Sequence, residues 1–396
     1  MYSELTWCNT KLHEGLRDQA PCYVFDTDIL VDGLRQMKEL MPNCQKICYS
    51  MKANPFIISY ADAAADWFEV CSPGEYEICW RNGIDPEKII ISGVNKTRAS
   101  MMRIMDLCGG KGIFTAESPL HYHILKEIAQ ERKLSIRLLL RLTSGNQFGM
   151  DEETIHGIFE ENRENPWVEI IGIHYFSGTQ KKLKKIEKEL LNLNDYAARL
   201  KQEFHMDALE LEYGAGLSVS YFAGDKPIGR EEQLVALNEI LGKLSNFDRI
   251  GVEMGRFIAA DCGCLLATVD DLKTTEGKNY VILDTGYHQI NYVGQMIGMK
   301  HPPILQLPER AEEPEQEYII CGALCTPNDI MARDIHFRNL QIGDHLMFQR
   351  CGAYSMTEGI GLFLSRDLPA VFAYSKAHGY QCLRKRIETN PFNSLK

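Results

Sequence analysis

The 396-residue sequence contains no apolar run that approaches the roughly 20 residues needed to cross a bilayer. Its N-terminal stretch, MYSELTWCNTKLHEGL, lacks the apolar core of a secretory signal peptide. The formal net charge of -11 leaves no excess of basic residues to neutralise phosphates, which argues against a nucleic-acid partner. These absences predict a cytoplasmic protein that binds neither membranes nor nucleic acids.

Two common motif types are also missing. The 13 cysteines are scattered without a zinc-type pair of CxxC motifs, so the sequence predicts no metal site and favours reduced, mostly buried thiols. No G-x-G-x-x-G follows an early strand, which argues against a dinucleotide-binding domain. With 45% hydrophobic and 24% charged residues, the chain can form one large or two ordinary globular domains.

Eight apolar segments alternate with segments of helical composition and spacing, such as SPLHYHILKEIAQERK and KKIEKELLNLNDYAARLKQEF. This alternation is what a (β/α)8 barrel requires, and such a barrel carries its catalytic groups at the carboxyl ends of the strands. Two doubly wound domains would give a similar pattern. The predicted strands are QKICYSMK (45–52), WFEVCS (67–72), KIIISG (88–93), GIFTA (112–116), SIRLLLRL (135–142), VEIIGIHYFS (168–177), LELEYGAG (209–216) and RIGVEMG (249–255).

After about residue 257 the apolar segments follow one another with turns and little helix, which predicts an antiparallel β-sandwich or β-barrel domain. We therefore place a barrel at residues 21–256 and a β domain at residues 257–396, to which residues 1–20 contribute. The Pro- and Glu-rich stretch PERAEEPEQE (308–317) is predicted to be an exposed loop of the β domain.

Lys52 stands at the end of the first predicted strand, directly before the strand breakers Asn54 and Pro55. A lysine at a strand end can simply extend its ammonium group to water. Alternatively, a desolvated lysine can lose its proton and bind a carbonyl compound as a Schiff base. The position of Lys52 alone leaves both explanations open.

Other strand ends would meet Lys52 at the same mouth of a barrel. Glycines at a strand end let backbone N–H groups approach a phosphate, which barrels commonly hold near strands seven and eight. Taken alone, a GAG sequence also fits an ordinary tight turn. The residues concerned are Arg141 in the fifth strand, Ser177, Gly178 and Thr179 after the sixth, GAG (214–216) after the seventh and EMGR (253–256) after the eighth.

A lysine, a phosphate cradle and a carboxylate together suggest pyridoxal 5'-phosphate. That cofactor needs a lysine for its aldehyde, a phosphate site and a group that sets the charge on its pyridine nitrogen. Each residue has another explanation, because Glu253 could be an ion-pair partner of Arg256 and Arg141 a strand-end charge. Their combination at successive strand ends is much less easily explained as structure.

Seven motifs in a fixed order make the sequence resemble the fold-type III pyridoxal-phosphate-dependent decarboxylases, the group that contains diaminopimelate and ornithine decarboxylases. The resemblance runs from about residue 21 to residue 380. It implies an alanine-racemase-like barrel with a β domain, a pyridoxal 5'-phosphate cofactor and an obligate homodimer with two shared active sites. The motifs are YSMKANP, FEVCSPGE, GIHYFSGTQ, LEYGAGLSVSY, VEMGRF, GALCTPND and CGAY.

By this resemblance, Lys52 would bind the cofactor as a Schiff base and Glu253 would contact the pyridine nitrogen. An anionic neighbour keeps that nitrogen protonated. His174 could equally be a structural residue. The further candidates for binding the cofactor are Arg141, His174, Phe176, Thr179, Gly214, Ala215, Gly216, Gly255, Arg256 and Tyr354, with the phosphate expected near Thr179, the GAG segment, Arg256 and Tyr354.

The resemblance also assigns residues of the β domain that would reach across the dimer interface into the partner's barrel. Cys325 is the candidate acid that returns a proton to the substrate's α-carbon, although most thiols in this chain are expected to be ordinary buried ones. Thr326, Asp329 and Tyr354 are the candidate substrate-binding residues.

Two departures from the family pattern bear on the substrate. Phe176 stands where the diaminopimelate and ornithine branches carry a second histidine, and a phenyl ring can pack on the cofactor without forming hydrogen bonds. Thr326 stands where those branches carry an acid that recognises the substrate's distal amine. The neutral Thr326 weakens the case for a substrate with a cationic far end.

The segments GTQ, QFGMDEE (147–153) and LCTPND are similar to those of decarboxylases of aminoglycoside and siderophore biosynthesis. We therefore predict decarboxylation of a conjugated or acyl-carrier-protein-linked amino acid in a specialised, secondary-metabolite pathway. The alternative is a free diamino acid such as diaminopimelate, ornithine or lysine. An amino-acid racemase is disfavoured, because racemases of this fold set an arginine, where this chain has Glu253, against the ring nitrogen.

The basic run KKLKK (181–185) is typical of a solvated helix face. Carrier proteins present an acidic surface, whereas this chain is itself acidic, so any docking surface for a carrier must be local. The segment KKLKKIEK is one candidate for such a surface.

Overall fold

The computed structural model describes residues 15–222, 225, 229–290, 292 and 300–395. It divides the chain into two compact units. The first, the barrel unit, contains Val31–Val219 and Ile228–Ile258. The second, the sheet unit, contains the described residues before Val31, those near Tyr221 and those from Ala259 onward. Within the described residues, no helix is long and apolar enough to cross a membrane.

The barrel unit is a closed barrel of eight parallel strands in which each strand pairs with its successor and the last pairs with the first. All eight strands lie within the segments predicted from the sequence, so the predicted (β/α)8 barrel is confirmed. Counting Cys22–Asp26 of the sheet unit as β1, the barrel strands are β2 (Lys46–Ser50), β3 (Trp67–Val70), β4 (Ile89–Ile91), β5 (Ile113–Ala116), β6 (Ile136–Arg141), β7 (Val168–Phe176), β8 (Glu210–Gly214) and β9 (Arg249–Met254).

Helices separate these strands, and several begin at a side chain that accepts a backbone N–H of the first turn. Ser72, Ser118 and Asp151 cap their helices in this way, which satisfies donors that the helix itself leaves unpaired. The helices are α1 (Thr27–Leu40), α2 (Ile58–Ala61), α3 (Pro73–Arg81), α4 (Arg98–Cys108), α5 (Pro119–Arg132), α6 (Glu152–Asn162), α7 (Leu183–Phe204), α8 (Arg230–Leu241) and α9 (Arg256–Ala259).

The barrel interior consists of an apolar layer below a polar one. Because side chains alternate along a strand, residues two positions apart face the same side. The apolar cluster includes Cys48, Trp67, Ile113 and Leu139, and two positions further along the same strands stand Ser50, Glu69, Thr115 and Arg141. The sequence therefore changes from apolar to polar at the carboxyl end of each of these strands, where barrel enzymes carry their active sites.

The sheet unit is built on a nine-stranded sheet. The predicted β domain is confirmed, but the sheet is mixed, because two strand pairs are parallel: Cys22–Asp26 with Ala370–Ser375, and Lys278–Leu283 with Glu315–Cys321. Most of the segment 308–317 is exposed, as predicted, and its last three residues begin the strand Glu315–Cys321. The strands after β9 are β10 (Gly263–Thr275), β11 (Lys278–Leu283), β12 (Ile304–Leu307), β13 (Glu315–Cys321), β14 (Ile330–Arg338), β15 (His345–Gln349), β16 (Ala370–Ser375) and β17 (Gly379–Arg384).

Strand β1 corrects the predicted domain boundary at residue 21. Its central residue Val24 pairs with Cys264 of β10 and with Phe372 of β16. All three residues are buried in one apolar cluster. All five residues of β1 are buried, so both faces of this strand are covered. The segment before Val31 therefore belongs to the sheet unit, and the N-terminal contribution is longer than predicted. Residues 1–14 lie outside the described residues.

Candidate active site

Lys52 lies in a short 3-10 turn, Met51–Ala53, that directly follows β2 at the carboxyl-terminal mouth of the barrel. Its Nζ is 2.6 Å from Glu69 Oε2 and 3.6 Å from Glu253 Oε1. The Lys52 side chain is 36% exposed, whereas both carboxylates are buried. The ammonium group thus points at two acids of the barrel interior rather than only into solvent, which favours the functional explanation of this strand end.

Glu69 bridges Lys52 and a cysteine. Its second oxygen, Oε1, accepts a hydrogen bond from the Cys71 thiol at 2.8 Å, and Cys71 Sγ lies 3.5 Å from Lys52 Nζ. Burial and the adjacent Glu69 raise the pKa of Cys71, so the thiol keeps its proton and acts as a donor. The sequence prediction assigned no role to either residue, although both stand in the quoted motif FEVCSPGE.

Glu253, at the end of β9, is held as an anion. Its Oε1 accepts a hydrogen bond from Ser50 Oγ at 2.8 Å, and its Oε2 lies 3.2 Å from His174 Nε2. Burial alone would raise the pKa of Glu253, but Lys52 and His174 outweigh burial and hold it below its usual range. A carboxylate that stays ionised at the mouth can keep a bound pyridine nitrogen protonated.

His174 and Phe176 both lie near the end of β7. His174 is buried and contacts Glu253, so its position is that of a residue that orients the carboxylate. Phe176 lies beside Gly214 of β8, where a Cβ atom would come within 2.4 Å of the Phe176 ring. Glycine at position 214 therefore provides the space that the ring occupies.

The loops after β7 and β8 approach each other backbone to backbone. Gly216 has φ +58°, and a Cβ atom there would lie 2.2 Å from the carbonyl oxygen of Gly178. The Ala215 N–H donates to the carbonyl oxygen of Glu253, which joins the GAG segment to β9. Thr179 is exposed on the loop after β7. Glycine at position 216 therefore lets the backbones of the two loops approach closely at the mouth, and backbone N–H groups in a glycine-rich loop at a strand end fit a phosphate site.

A buried lysine that the sequence prediction missed supports the cradle. Lys181 Nζ donates to the carbonyl oxygen of Gly214, to Tyr213 Oη and to Glu189 Oε2 at 3.0–3.1 Å. Its side chain is 2% exposed, and burial lowers its pKa despite the ion pair with Glu189. Lys181 therefore does not belong to a solvated helix face, which corrects the interpretation of KKLKK at its first residue.

Arg141, at the end of β6, is also buried. Its Nη1 donates to Glu117 Oε1 at 2.8 Å, and its guanidinium carbon lies 5.0 Å from the centre of the Phe148 ring. Nearby, Lys96 Nζ donates to Gly93 O at 2.5 Å and to Thr115 Oγ1. Burial lowers the pKa of Lys96 to about 8. The sequence prediction missed this second amine.

The remaining cofactor candidates of the barrel follow β9. Gly255 packs against the first turn after β2, where a Cβ atom would come within 3.0 Å of Ala53 Cβ. Arg256, the first residue of α9, is half-buried. Both positions therefore lie at the same end of the barrel as Lys52 and Glu253.

The candidate residues of the β domain lie in the sheet unit. Cys325 is exposed, unlike most cysteines of the described residues, and Thr326 beside it is half-buried. Tyr354 has φ +68° and is half-buried in a turn closed by the N–H groups of Thr357 and Glu358. Their predicted roles toward the substrate and the partner's cofactor stay predictions.

Asp329 makes contacts of another kind. It is buried, and its two carboxylate oxygens accept the backbone N–H groups of Tyr287 and Leu324 at 2.8 and 2.7 Å. A Cβ atom at Gly322 would lie 2.3 Å from the same carboxylate. These contacts fix the loop that carries Cys325, whereas the predicted contact of Asp329 with substrate stays a prediction.

A (β/α)8 barrel with an ion-paired lysine, an opposed carboxylate and a glycine cradle at its mouth, joined to a β domain, defines a class of pyridoxal-phosphate-dependent enzyme. Residues 28–260 match the family model described as pyridoxal-dependent decarboxylase, pyridoxal binding domain. This match covers more than half of the chain, so the chain belongs to the pyridoxal-dependent decarboxylases. It is a carboxy-lyase with pyridoxal 5'-phosphate as its cofactor, as the sequence predicted.

Three relatives show which reactions occur in the family. L-glutamyl-[BtrI acyl-carrier protein] decarboxylase of Niallia circulans is 25% identical over 93% of this chain and 92% of that protein. Diaminopimelate decarboxylase of Aquifex aeolicus is 25% identical over 84% and 82%. A Staphylococcus aureus protein named 2-[(L-alanin-3-ylcarbamoyl)methyl]-2-hydroxybutanedioate decarboxylase is 26% identical over 88% and 92%.

Proposed function

We propose that this enzyme decarboxylates an amino acid whose far end is conjugated, and that the substrate is an aminoacyl group, such as L-glutamyl, on an acyl carrier protein. The observation that carries this proposal is the charge of the GALCTPND loop. Thr326 is neutral, and the one acid in the loop, Asp329, is buried and accepts two backbone N–H groups. The loop thus offers no exposed carboxylate to a cationic far end, whereas an amide or thioester needs none.

The names of two relatives support a conjugated substrate. The Niallia circulans protein is named for a glutamyl group on a carrier protein. The name of the Staphylococcus aureus protein describes a carbamoyl-linked amino acid. We further propose that the reaction belongs to a specialised biosynthetic pathway in the cytoplasm.

When bound, pyridoxal 5'-phosphate supplies an electron sink for the electron pair released as CO2 leaves the α-carbon. Lys52 would hold the cofactor's aldehyde carbon, and the Glu69 carboxylate, 2.6 Å from Nζ, is placed to accept a proton from this amine. Glu253 would keep the cofactor's ring nitrogen protonated, and Phe176 would supply an apolar face to the ring. The exposed thiol of Cys325 donates the proton that replaces CO2 on the α-carbon.

In this proposal the enzyme is a homodimer with two shared sites. Cys325, Thr326, Asp329 and Tyr354 of one protomer complete the barrel site of its partner, as the resemblance implies. Asp329 contributes by holding the loop in shape. Glu253 counts against a racemase, since its negative charge favours the protonated ring nitrogen that racemases of this fold suppress.

A free diamino acid is the second candidate substrate. The relative from Aquifex aeolicus, which is named a diaminopimelate decarboxylase, matches 84% of this chain and favours this reading. If it holds, the neutral Thr326 is no barrier to a charged far end, and the distal amine is recognised by other residues.

The test is a panel of substrates offered to the cofactor-loaded enzyme, with CO2 loss followed by mass spectrometry. The panel contains L-glutamyl BtrI carrier protein, diaminopimelate and both enantiomers of ornithine and lysine. We expect turnover of the carrier-linked substrate alone, and none by the Lys52→Ala variant. Turnover of a free diamino acid in preference to the carrier-linked one would contradict the proposal and support the second candidate.

A further inference from the structure

We propose that the start of helix α7 is the surface on which an acidic carrier protein docks to present its amino acid to the barrel. This surface, here called the lysine face, consists of Lys182, Lys184, Lys185 and Lys188, all exposed. The inference rests on the proposed function, because a free amino acid would need no docking surface. The lysine face would recognise the carrier protein, whereas the barrel site would recognise the amino acid that the carrier presents.

The lysine face adjoins the candidate active site along the chain. Strand β7 ends at Phe176 and helix α7 begins at Leu183. The six residues between them include the loop Gly178–Gln180 of the cradle and can span no more than about 20 Å. The helix therefore begins at the end of the barrel that carries Lys52 and Glu253. A carrier bound there needs only its extended prosthetic arm to reach the mouth.

Local carboxylates do not neutralise this surface. Within the described part of the chain, no carboxylate lies within ion-pair distance of Lys182, Lys184 or Lys188. Lys185 Nζ is 3.7 Å from Glu189, whose carboxylate already binds the buried Lys181. The positive charge of the lysine face is thus left to solvent or to a partner.

Helix stability does not explain the lysines, because they oppose it. The amino end of a helix carries partial positive charge, so cations there are unfavourable. Lys182 is the N-cap residue without a side-chain cap, and the first turn contains no acid. Lys184 and Lys188 are four residues apart, a spacing at which like charges repel. An anionic partner would relieve both costs.

The neighbouring barrel helices show the usual arrangement. Helix α6 begins at the cap Asp151 with Glu152 and Glu153 in its first turn, and α8 has Glu231 and Glu232 there. These acids complement the helix dipole in the way that stability favours. The two neighbouring helices therefore begin with acids, whereas α7, which begins beside the cradle, begins with lysines.

Charge complementarity selects an acidic protein as the partner. The chain as a whole carries -11, so the lysine face is a local exception that would orient an acidic protein during encounter. The same net charge opposes binding of a polynucleotide to the rest of the surface. The proposed substrate is linked to an acyl carrier protein, and such a carrier with an acidic surface is therefore the partner that we assign to the lysine face.

The test compares two double variants of the cofactor-loaded enzyme. Lys184→Glu/Lys188→Glu reverses the lysine face, and Lys111→Glu/Lys133→Glu reverses two exposed lysines in loops at the opposite, amino-terminal end of the barrel strands. Each enzyme is given L-glutamyl BtrI carrier protein and, separately, the thioester of glutamate with pantetheine. The second substrate presents the same reacting group without a protein surface.

For the first variant we expect KM for the carrier substrate to rise at least tenfold with kcat little changed, and kcat/KM for the pantetheine thioester to stay the same. The control variant should match the wild type on both substrates. Because acids suit a helix amino end, the first variant should unfold at an equal or higher temperature than the wild type. Added salt should raise KM for the carrier with the wild type and have little effect with the variant.

An unchanged KM for the carrier in the Lys184→Glu/Lys188→Glu variant would overturn the docking surface and leave the proposed function intact. A wild-type enzyme that binds its cofactor but converts neither thioester would overturn the proposed function and the docking surface together. Equal losses on both substrates would also overturn the docking proposal, since they would place the defect at the reaction rather than in recognition of the carrier.

Discussion

At the scale of single residues, two buried glutamates on neighbouring strands differ in charge: Glu212 is neutral and Glu253 is an anion. Burial raises the pKa of Glu212 well above 4.5, and the charge of Glu253 adds to this effect. Burial also acts to raise the pKa of Glu253, but Lys52 and His174 outweigh it and lower the pKa. The barrel thus holds a neutral acid, Glu212, and an anion, Glu253, on neighbouring strands, because the surroundings of the two carboxyls shift their pKa values in opposite directions.

Glu212 makes the stability of the protein depend on pH. Its folded pKa is raised, so its contribution to stability is fully present below the unfolded value of 4.5 and is lost as the pH rises toward the folded pKa. We therefore expect Glu212→Gln, which keeps the shape and removes the ionisable group, to unfold at a higher temperature than the wild type at pH 8. At pH 4.5 the difference should be much smaller.

Calorimetric unfolding of both proteins across this pH range measures the effect. Glu210→Gln on the same strand is the matched comparison. Burial raises the pKa of Glu210 as well, but its ion pair with Arg249 at 2.7 Å opposes this shift, so its pH-dependent gain in stability should be smaller. A Glu212→Gln variant that is no more stable than the wild type at pH 8 would show that the Glu212 pKa is not raised or that the carboxyl is needed for packing.

At the scale of loops and strands, the cradle depends on Gly216. A Cβ atom there would lie 2.2 Å from the Gly178 carbonyl oxygen, so Gly216→Ala must push the loops after β7 and β8 apart. We expect at least a tenfold loss of affinity for pyridoxal 5'-phosphate, measured by titrating the cofactor into apoenzyme and following fluorescence.

Gly83→Ala provides the control for the backbone conformation alone. Gly83 also has positive φ, +71°, but a Cβ atom there would meet nothing within 4 Å. Its substitution should cost about 1–2 kcal/mol for the left-handed conformation and leave cofactor affinity unchanged. If both variants bound the cofactor as the wild type does, the cradle would not be the phosphate site.

Lys181 ties the same two loops together from below. Lys181→Met leaves the largely buried Glu189 carboxylate with only the exposed Lys185, 3.7 Å away, as a cation, and breaking a buried pair costs roughly 3–5 kcal/mol. We expect this loss in urea unfolding, together with weaker cofactor binding, because the Gly214 carbonyl loses its donor. Lys182→Met, at the adjacent exposed lysine, should change neither quantity. Equal stability of the two variants would show that the Lys181 pair contributes nothing to the cradle.

The barrel strands could be predicted because each is a short, nearly continuous apolar run between helical segments. Strands β14 and β17 could not, since their exposed and partly exposed residues give them no apolar run. Strand β1 is apolar, but its partners β10 and β16 lie more than two hundred residues away, and no local pattern identifies them. This distance is why the boundary at residue 21 was wrong.

The approach of Lys52 to Glu253, whose charged atoms lie 3.6 Å apart, was predictable because each residue type stands out at a strand end. Cys71 gave no such signal, because its role depends on its contact with Glu69 and Lys52 in the folded barrel. Lys181 was hidden within a basic run, where a single buried ammonium group cannot be told from its exposed neighbours. Contacts between residues distant in sequence decide both cases.

At the scale of the whole molecule, the proposed dimer places Lys52 and Cys325 of each active site on different protomers. Lys52→Ala and Cys325→Ala should each bring turnover close to zero, and Cys325→Ala should still bind cofactor. Mixing equal amounts of the two and allowing subunits to exchange should restore about a quarter of wild-type activity. This value follows because half of the dimers are then mixed, and each mixed dimer has one intact site of two.

Light scattering of the purified enzyme provides the accompanying measurement of its oligomeric state. Activity that stays at the level of the separate variants after exchange would contradict the shared site and place Lys52 and Cys325 of each site on the same chain. A monomer with full activity would do the same.

The account as a whole rests on Lys52 as the residue that binds the cofactor, and one measurement tests this most directly. Borohydride reduction of the cofactor-loaded enzyme makes the lysine–cofactor bond permanent, and mass spectrometry of its peptides then locates the label. The account predicts a single pyridoxyl group on Lys52. A label on Lys96 or Lys181, which are buried amines near the mouth, or on no lysine of the barrel, would contradict the account.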